Sequence, residues 1–225
     1  MVQKAKTQTV QKATIVVFLQ NLGNANVHLL MSLRLNRWLK NYIVTLVVKL
    51  PNHIERRLGD RQLCWFPYLR ELNARNAKIT DEGIKHMRLH TLNASFNPNI
   101  TNEGIKHMHL HTLNVSFGSG ITDEGIKHMR LHTLNANLNP TITDEGIKHM
   151  RLHTLHAGFN PKITDEGINH MQLHTLDASF DSGITDEGIK HMRLHTLNAI
   201  DNPNITDEGI KHMQLHTLND KTSWP

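Results

Sequence analysis

From Ile79 onward, large apolar residues stand at Ile79, Ile84, Met87, Leu89 and Leu92, with the small Ala94 next, and polar residues fill the gaps. The stretch reads ITDEGIKHMRLHTLNASFNPN, and it recurs with Ile at 79, 100, 121, 142, 163, 184 and 205, a constant step of 21 residues. Self-similarity at a short fixed period is the mark of a solenoid, in which each unit covers the apolar faces of its neighbours. Within a unit, residues 90–94 alternate, so Leu92 and Ala94 face one side of a short strand while Thr91 and Asn93 face the other. Asn97-Pro98-Asn99 ends the strand with turn chemistry. Thr80 then caps a helix whose first turn carries Asp81 and Glu82, complementing the positive end of the helix dipole. Ile84, Met87 and Leu89 turn inward, Lys85 and His86 outward. Asp81–Lys85 and Glu82–His86 have the spacing of i,i+4 pairs.

Asn97, Asn139, Asn160 and Asn202 recur at the turn and are expected to point inward onto backbone groups of adjacent units; Gly118 and Asp181 replace them and should interrupt or alter that ladder. Leu89, Leu92, Ala94, Asn97 and Ile100 fill an L-x-x-L-x-L-x-x-N-x-x-I frame. This resembles the leucine-rich repeat, and the Ile-Thr-Asp-x-Gly-Ile continuation is similar to the cysteine-containing subclass found in F-box proteins, with Asn in place of the usual Cys. The resemblance implies an α/β solenoid, with a curved parallel β-sheet on the concave face and short helices on the convex face. It also implies that a protein ligand is held on the concave face.

On that face the pattern places Thr91, Thr112, Thr133, Thr154, Thr175 and Thr196, and beside them Asn93, Asn114, Asn135, His156, Asp177 and Asn198. A third row is mixed: Ser95, Ser116, Asn137, Gly158, Ser179 and Ile200. Substitutions gather in these last two rows and in the position after them, while the framework barely changes. A recognition surface over a fixed frame gives that pattern, and so does drift among recent duplicates.

Upstream, residues 1–12 read as a loose tail and residues 13–42 as short helices split at Gly23-Asn24-Ala25-Asn26. VFLQNL, GNANV and HLLMSLRLNRW resemble a degenerate F-box, without the motif's Leu-Pro opening. That resemblance implies docking of a Skp-type adaptor of a cullin–RING ubiquitin ligase at residues 15–41 through Leu22, Val27, Leu30, Leu33 and Trp38. The other reading is a helical cap on the solenoid. Residues 43–78 hold two divergent repeats, with Ile43, Leu46, Val48 and Ile54 in the first and Leu69, Leu72 and Ala74 in the second; Cys64, Trp65 and Phe66 are expected beneath the first. Seven 21-residue repeats fill 79–219, and 220–225 form a tail in which Asp220 falls where an inward Ala is expected. Trp224 then either covers the last turn or leaves an open edge strand.

The net charge of +5 conceals an asymmetry: residues 1–78 carry 13 Lys/Arg against 3 Asp/Glu, and residues 79–225 carry 12 against 17. The acidic array lacks the basic, aromatic stripe of a nucleic-acid surface. No apolar run is long enough for a membrane helix. One cysteine, Cys64, permits no internal disulfide and fits a reducing compartment, so a cytoplasmic location is expected.

Of 18 histidines, 16 follow residue 78. His90 and its equivalents to His216 should form one ladder about 4.8 Å apart beside the strands, and His86 and its equivalents a second on the helices. Metal binding is a minor reading, with no convergent carboxylate to complete a site, and a response to acid is the stronger one. Ser, His and Asp recur only because the repeat contains them, and no phosphate loop or nucleophile elbow occurs. The expected function is therefore non-enzymatic, with no cofactor: a substrate-recognition adaptor of a ubiquitin ligase, or a plain repeat scaffold without that link.

Overall fold

The computed structural model describes residues 59–63, 69–75 and 78–219. The readings at residues 15–41, with Leu22, Val27, Leu30, Leu33 and Trp38, lie outside the described residues. So do Ile43, Leu46, Val48 and Ile54 of the first divergent repeat, Cys64, Trp65 and Phe66, and the segment with Asp220 and Trp224.

Strands and one-turn helices alternate along the chain. They run α1 (Asp60–Leu63), β1 (Glu71–Asn73), α2 (Asp81–Ile84), β2 (Thr91–Asn93), α3 (Asn102–Ile105), β3 (Thr112–Asn114), α4 (Asp123–Ile126) and β4 (Thr133–Asn135). Then come α5 (Asp144–Ile147), β5 (Thr154–His156), α6 (Asp165–Ile168), β6 (Thr175–Asp177), α7 (Asp186–Ile189), β7 (Thr196–Asn198), α8 (Asp207–Ile210) and β8 (Thr217–Asn219). The eight strands make one parallel sheet in sequence order. The register follows the repeat: Thr91 pairs with Thr112 and Leu92 with Leu113, and the same step carries through to Thr196 with Thr217. The first step is one residue shorter, Glu71 pairing with Thr91.

Because strand side chains alternate, each Leu of a strand enters the core while its Thr and Asn stay half-exposed. The Ile, Met, Leu and Ala columns of the repeat are buried throughout β1 to β7, with Ile84, Ile105 and Ile126 all at 0% exposure. In the last repeat Ile205, Ile210, Met213 and Leu215 are only partly buried and Leu218 is 37% exposed, so among the described residues the β8 end of the stack is open.

Two hydrogen-bond ladders tie the units together. The Asn97 amide donates to the carbonyls of Ala74 (2.9 Å) and Ile79 (3.1 Å) in the preceding unit, and its oxygen accepts from the Asn99 backbone at 3.0 Å. Asn160 and Asn202 repeat this, and Asn139 donates to the Val115 carbonyl (2.6 Å), each at most 5% exposed. Where Gly118 and Asp181 stand, the inward place passes one residue on, to buried Ser119 and Ser182. The following Gly120 and Gly183 leave out a Cβ that would collide with carbonyls of the preceding unit. Among the described residues Ser182 Oγ has no hydrogen-bond partner and Ser119 Oγ accepts only from Ile121 N–H of its own turn (3.4 Å), so the side-chain ladder is interrupted there. Backbone bonds from Gly120 and Gly183 N–H to the Asn97 and Asn160 carbonyls (3.4 Å) make the link between units.

The second ladder corrects the expected helix pairs. The helix is a single turn, and Asp81 is directed away from it: its carboxylate accepts from the backbone N–H (2.8 Å) and the hydroxyl (2.6 Å) of Thr101 in the next repeat. Thr101 in turn accepts from Glu103 N–H as the cap of its own helix. Gly104 makes room, since a Cβ there would overlap the Asp81 carboxylate. The same Asp–Thr–Gly arrangement joins α1 to α2 and recurs from α4 to α8. At the one exception, Asn102 donates to Thr122 Oγ, and Thr122 makes no side-chain cap of α4. Lys85 pairs instead with Glu82 at i,i+3 (2.5 Å), and neither Asp81–Lys85 nor Glu82–His86 forms.

Candidate protein-binding face

The open face of the sheet brings together the expected rows. Thr91, Thr112, Thr133, Thr154, Thr175 and Thr196 lie in one line across β2 to β7, because consecutive strands pair Thr on Thr. Asn93, Asn114, Asn135, His156, Asp177 and Asn198 form the next line by the same register.

The Asn line also builds the turn that follows it. Asn93 Oδ1 accepts from Ser95 N–H (3.0 Å) and Oγ (2.7 Å), and Asn114 does the same for Ser116. Such Asx turns hold the side chains in one orientation. The Asn93, Asn114 and Asn135 amide nitrogens bond no other side chain among the described residues, so rows of donors and hydroxyls are presented in fixed positions.

The departures from the repeat at Asn137, His156, Gly158 and Asp177 form one cluster on this face. Asn137 Oδ1 accepts from Gly158 N–H (2.7 Å), and its amide reaches across two strands to Asp177 Oδ2 (3.2 Å). A Cβ at Gly158 would stand 2.7 Å from Ser179 Oγ and 3.2 Å from Asp177 Oδ1, so the glycine leaves room for the Ser179–Asp177 side of the cluster. Asp177 also accepts from Ser179 Oγ (2.6 Å) and the Asn198 amide (3.0 Å). Burial would raise the Asp177 carboxyl, but His156 and the hydrogen bonds from Ser179 and Asn137 outweigh it and hold it at about 2. The His156 Nδ1–Asp177 Oδ2 separation of 3.8 Å is too long for a hydrogen bond, so that contribution is electrostatic. These four substitutions thus set a carboxylate in the middle of the Asn row, while a further carboxylate, Glu71, stands at the β1 edge in line with the Thr row.

Two side-chain ladders border the face. At the start of the strands His90, His111, His132, His153, His174, His195 and His216 stack with centroids 4.5–4.7 Å apart, close to the expected spacing. Partial burial, then the neighbouring His111 and His153, lower the pKa of His132 below 6.5. On the helix side His149 is lowered by burial, then by His128, His170 and Lys148. Among the described residues no three His, Cys, Asp or Glu side chains converge as a metal site. No described helix is long and apolar enough to cross a membrane.

At the other border stands a row that the pattern did not single out structurally. Phe96, Phe117, Leu138, Phe159, Phe180 and Asp201 have φ of 53–58°, the left-handed region. No sequence rule places bulky residues there; the run of Phe and Leu just after the variable rows, from Phe96 to Phe180, was the available signal.

The leucine-rich repeat family model matches residues 106–129. Among solved structures, a chain of the crystal structure of the Rad7 and Elc1 complex in yeast is similar at 14% identity, covering 96% of this chain and 83% of that one, with a TM-score of 0.32. No curated protein matches the chain.

Proposed function

On a leucine-rich-repeat solenoid of this kind, we propose that the open, concave face of the sheet holds a protein ligand, and that the chain is a protein–protein interaction module. One observation carries this reading: four of the substitutions that break the repeat meet at the centre of that face, Asn137 hydrogen-bonded to Gly158 and Asp177, and His156 standing 3.8 Å from Asp177. Unselected drift would scatter single changes over the face. Rows of Thr hydroxyls and Asn amides around the central Asp177 carboxylate suit a polar ligand segment with a basic residue at its middle.

The finer reading is a substrate-recognition adaptor: residues 15–41 dock a Skp-type adaptor of a cullin–RING ubiquitin ligase, and the repeats present the substrate. It is supported by VFLQNL, GNANV and HLLMSLRLNRW in the order of an F-box. No catalytic step falls to this chain, and its place of action is the cytoplasm. The test is co-purification of the full chain with a Skp-family adaptor. Retention that is lost on Leu30→Asp, with circular dichroism unchanged, supports the adaptor role. Failure of the unaltered chain to retain the adaptor reduces residues 15–41 to a cap and leaves a binding scaffold.

A further inference from the structure

The rim at the C-terminal end of the strands carries its own pattern. In five consecutive repeats a bulky apolar residue occupies a left-handed position that Gly or Asn would take at less cost. Burial does not explain the choice, since Phe117, Leu138 and Phe159 are 42%, 39% and 38% exposed. Phe96 stacks on Phe117 at 4.3 Å and Phe159 on Phe180 at 4.0 Å, with Leu138 between the two pairs. At one end the Arg75 guanidinium lies 4.5 Å over the Phe96 ring. At the other, Asp201 occupies the position after Phe180.

Along the rim the order is therefore Arg, Phe, Phe, Leu, Phe, Phe, Asp, with each position 21 residues from the next. This row is symmetric about Leu138 in its apolar residues and antisymmetric in its charged ends. We propose that the rim is a homodimer interface, in which a second copy of this chain packs antiparallel about a two-fold axis at Leu138. That arrangement sets Leu138 on Leu138, Phe117 against Phe159, Phe96 against Phe180, and Arg75 against Asp201. Parallel alignment would instead place Arg on Arg and Asp on Asp. A guanidinium stacked by its face on a ring still presents its N–H edge to a carboxylate. An isologous contact of this kind closes on itself and makes a dimer, not a fibre. It leaves the Thr and Asn rows uncovered, so it does not depend on what the sheet face binds.

The patch is narrow, at the small end of specific interfaces, so a dissociation constant of about 10 μM is expected. Sedimentation equilibrium of the full chain tests the proposal. A monomer–dimer equilibrium is expected, weakened at least about tenfold by Leu138→Asp, a residue that tolerates the left-handed backbone and so preserves the circular dichroism spectrum. Arg75→Asp and Asp201→Arg should each weaken the dimer, and the two together should restore it. In a Cys64→Ser background, Leu138→Cys should give a disulfide-linked dimer on oxidation and Thr154→Cys should not. A chain that stays monomeric to about 1 mM, or a dimer indifferent to Leu138→Asp, overturns the proposal. A double charge reversal that fails to regain the dimer overturns the antiparallel pairing.

Discussion

Asp81 and Thr101, twenty residues apart, are joined by two hydrogen bonds of 2.8 and 2.6 Å, so the first residue of one helix fixes the cap of the next. Such charge-assisted bonds are worth about 1.5–3 kcal/mol each where they are shielded, and this pair is half-buried. Asp144→Ala, which unties Thr164, is expected to destabilise the fold by about 2 kcal/mol. Gly104→Ala should act similarly by displacing the Asp81 carboxylate, although Ala is intrinsically the better helix former. Urea denaturation measures both, and a stabilised Gly104→Ala would show that the close approach is unimportant.

That ladder also marks where sequence reasoning stopped. The strand register, the inward Leu and Ile columns and the buried Asn97 follow from a 21-residue period and the alternation of a strand, and no distant geometry is needed to see them. Asp81 read as a partner of Lys85 because helical spacing is the nearest rule for two charges. Its real partner depends on a helix of one turn and on a Cβ missing from the following unit. The recurring Gly of every DEG/NEG triplet was the visible trace, at Gly83, Gly104 and Gly125 for example. Ser119 and Ser182 escaped for a related reason: in each case a Ser-Gly pair moves the inward position by one residue. On the sheet face, the rows were legible but the crossing from Asn137 to Asp177 was not, because it spans 40 residues and two strands.

The rim carries a local cost. Leu138 has φ of 54° and no ring to stack on, so Leu138→Asn exchanges a strained residue for one suited to that backbone. The monomer should gain about 1 kcal/mol. Thermal unfolding at low protein concentration should show a rise of a few degrees, and a fall would mean that Leu138 packs more usefully than its exposure indicates.

The central cluster should behave as a coupled unit. Gly158→Ser crowds Ser179 and Asp177 and is expected to cost about 1 kcal/mol. Asn137→Ser removes the crossing side chain, after which Ser at 158 matches the neighbouring repeats. The double variant should therefore recover most of the loss, with an interaction energy of at least about 0.5 kcal/mol in the cycle. Strict additivity would separate the two sites.

Acid should loosen the stack. His132 and His149 have folded-state pKa values lowered below 6.5, so the folded chain binds these protons less readily than the unfolded one. The stability they contribute is complete above pH 6.5 and is lost as pH falls through their lowered values. Asp177, held at about 2, acts in the same direction at lower pH: its contribution is present above 3.8 and is lost as pH falls through about 2. A lower melting temperature at pH 5.5 than at pH 7.5 is expected, with a smaller difference after His132→Gln and His149→Gln together. Equal melting temperatures at the two pH values would contradict this.

Ligand capture by the sheet face is tested most directly by site-specific photocrosslinking in cells. A benzophenone side chain would be placed at Thr154, in the middle of the Thr row, or at Lys148, on the helix side. The predicted result is one discrete protein adduct from position 154 that is abolished by Asp177→Lys, and none from position 148. Adducts from position 148 alone, or the same adducts from both, would contradict a binding face on the sheet.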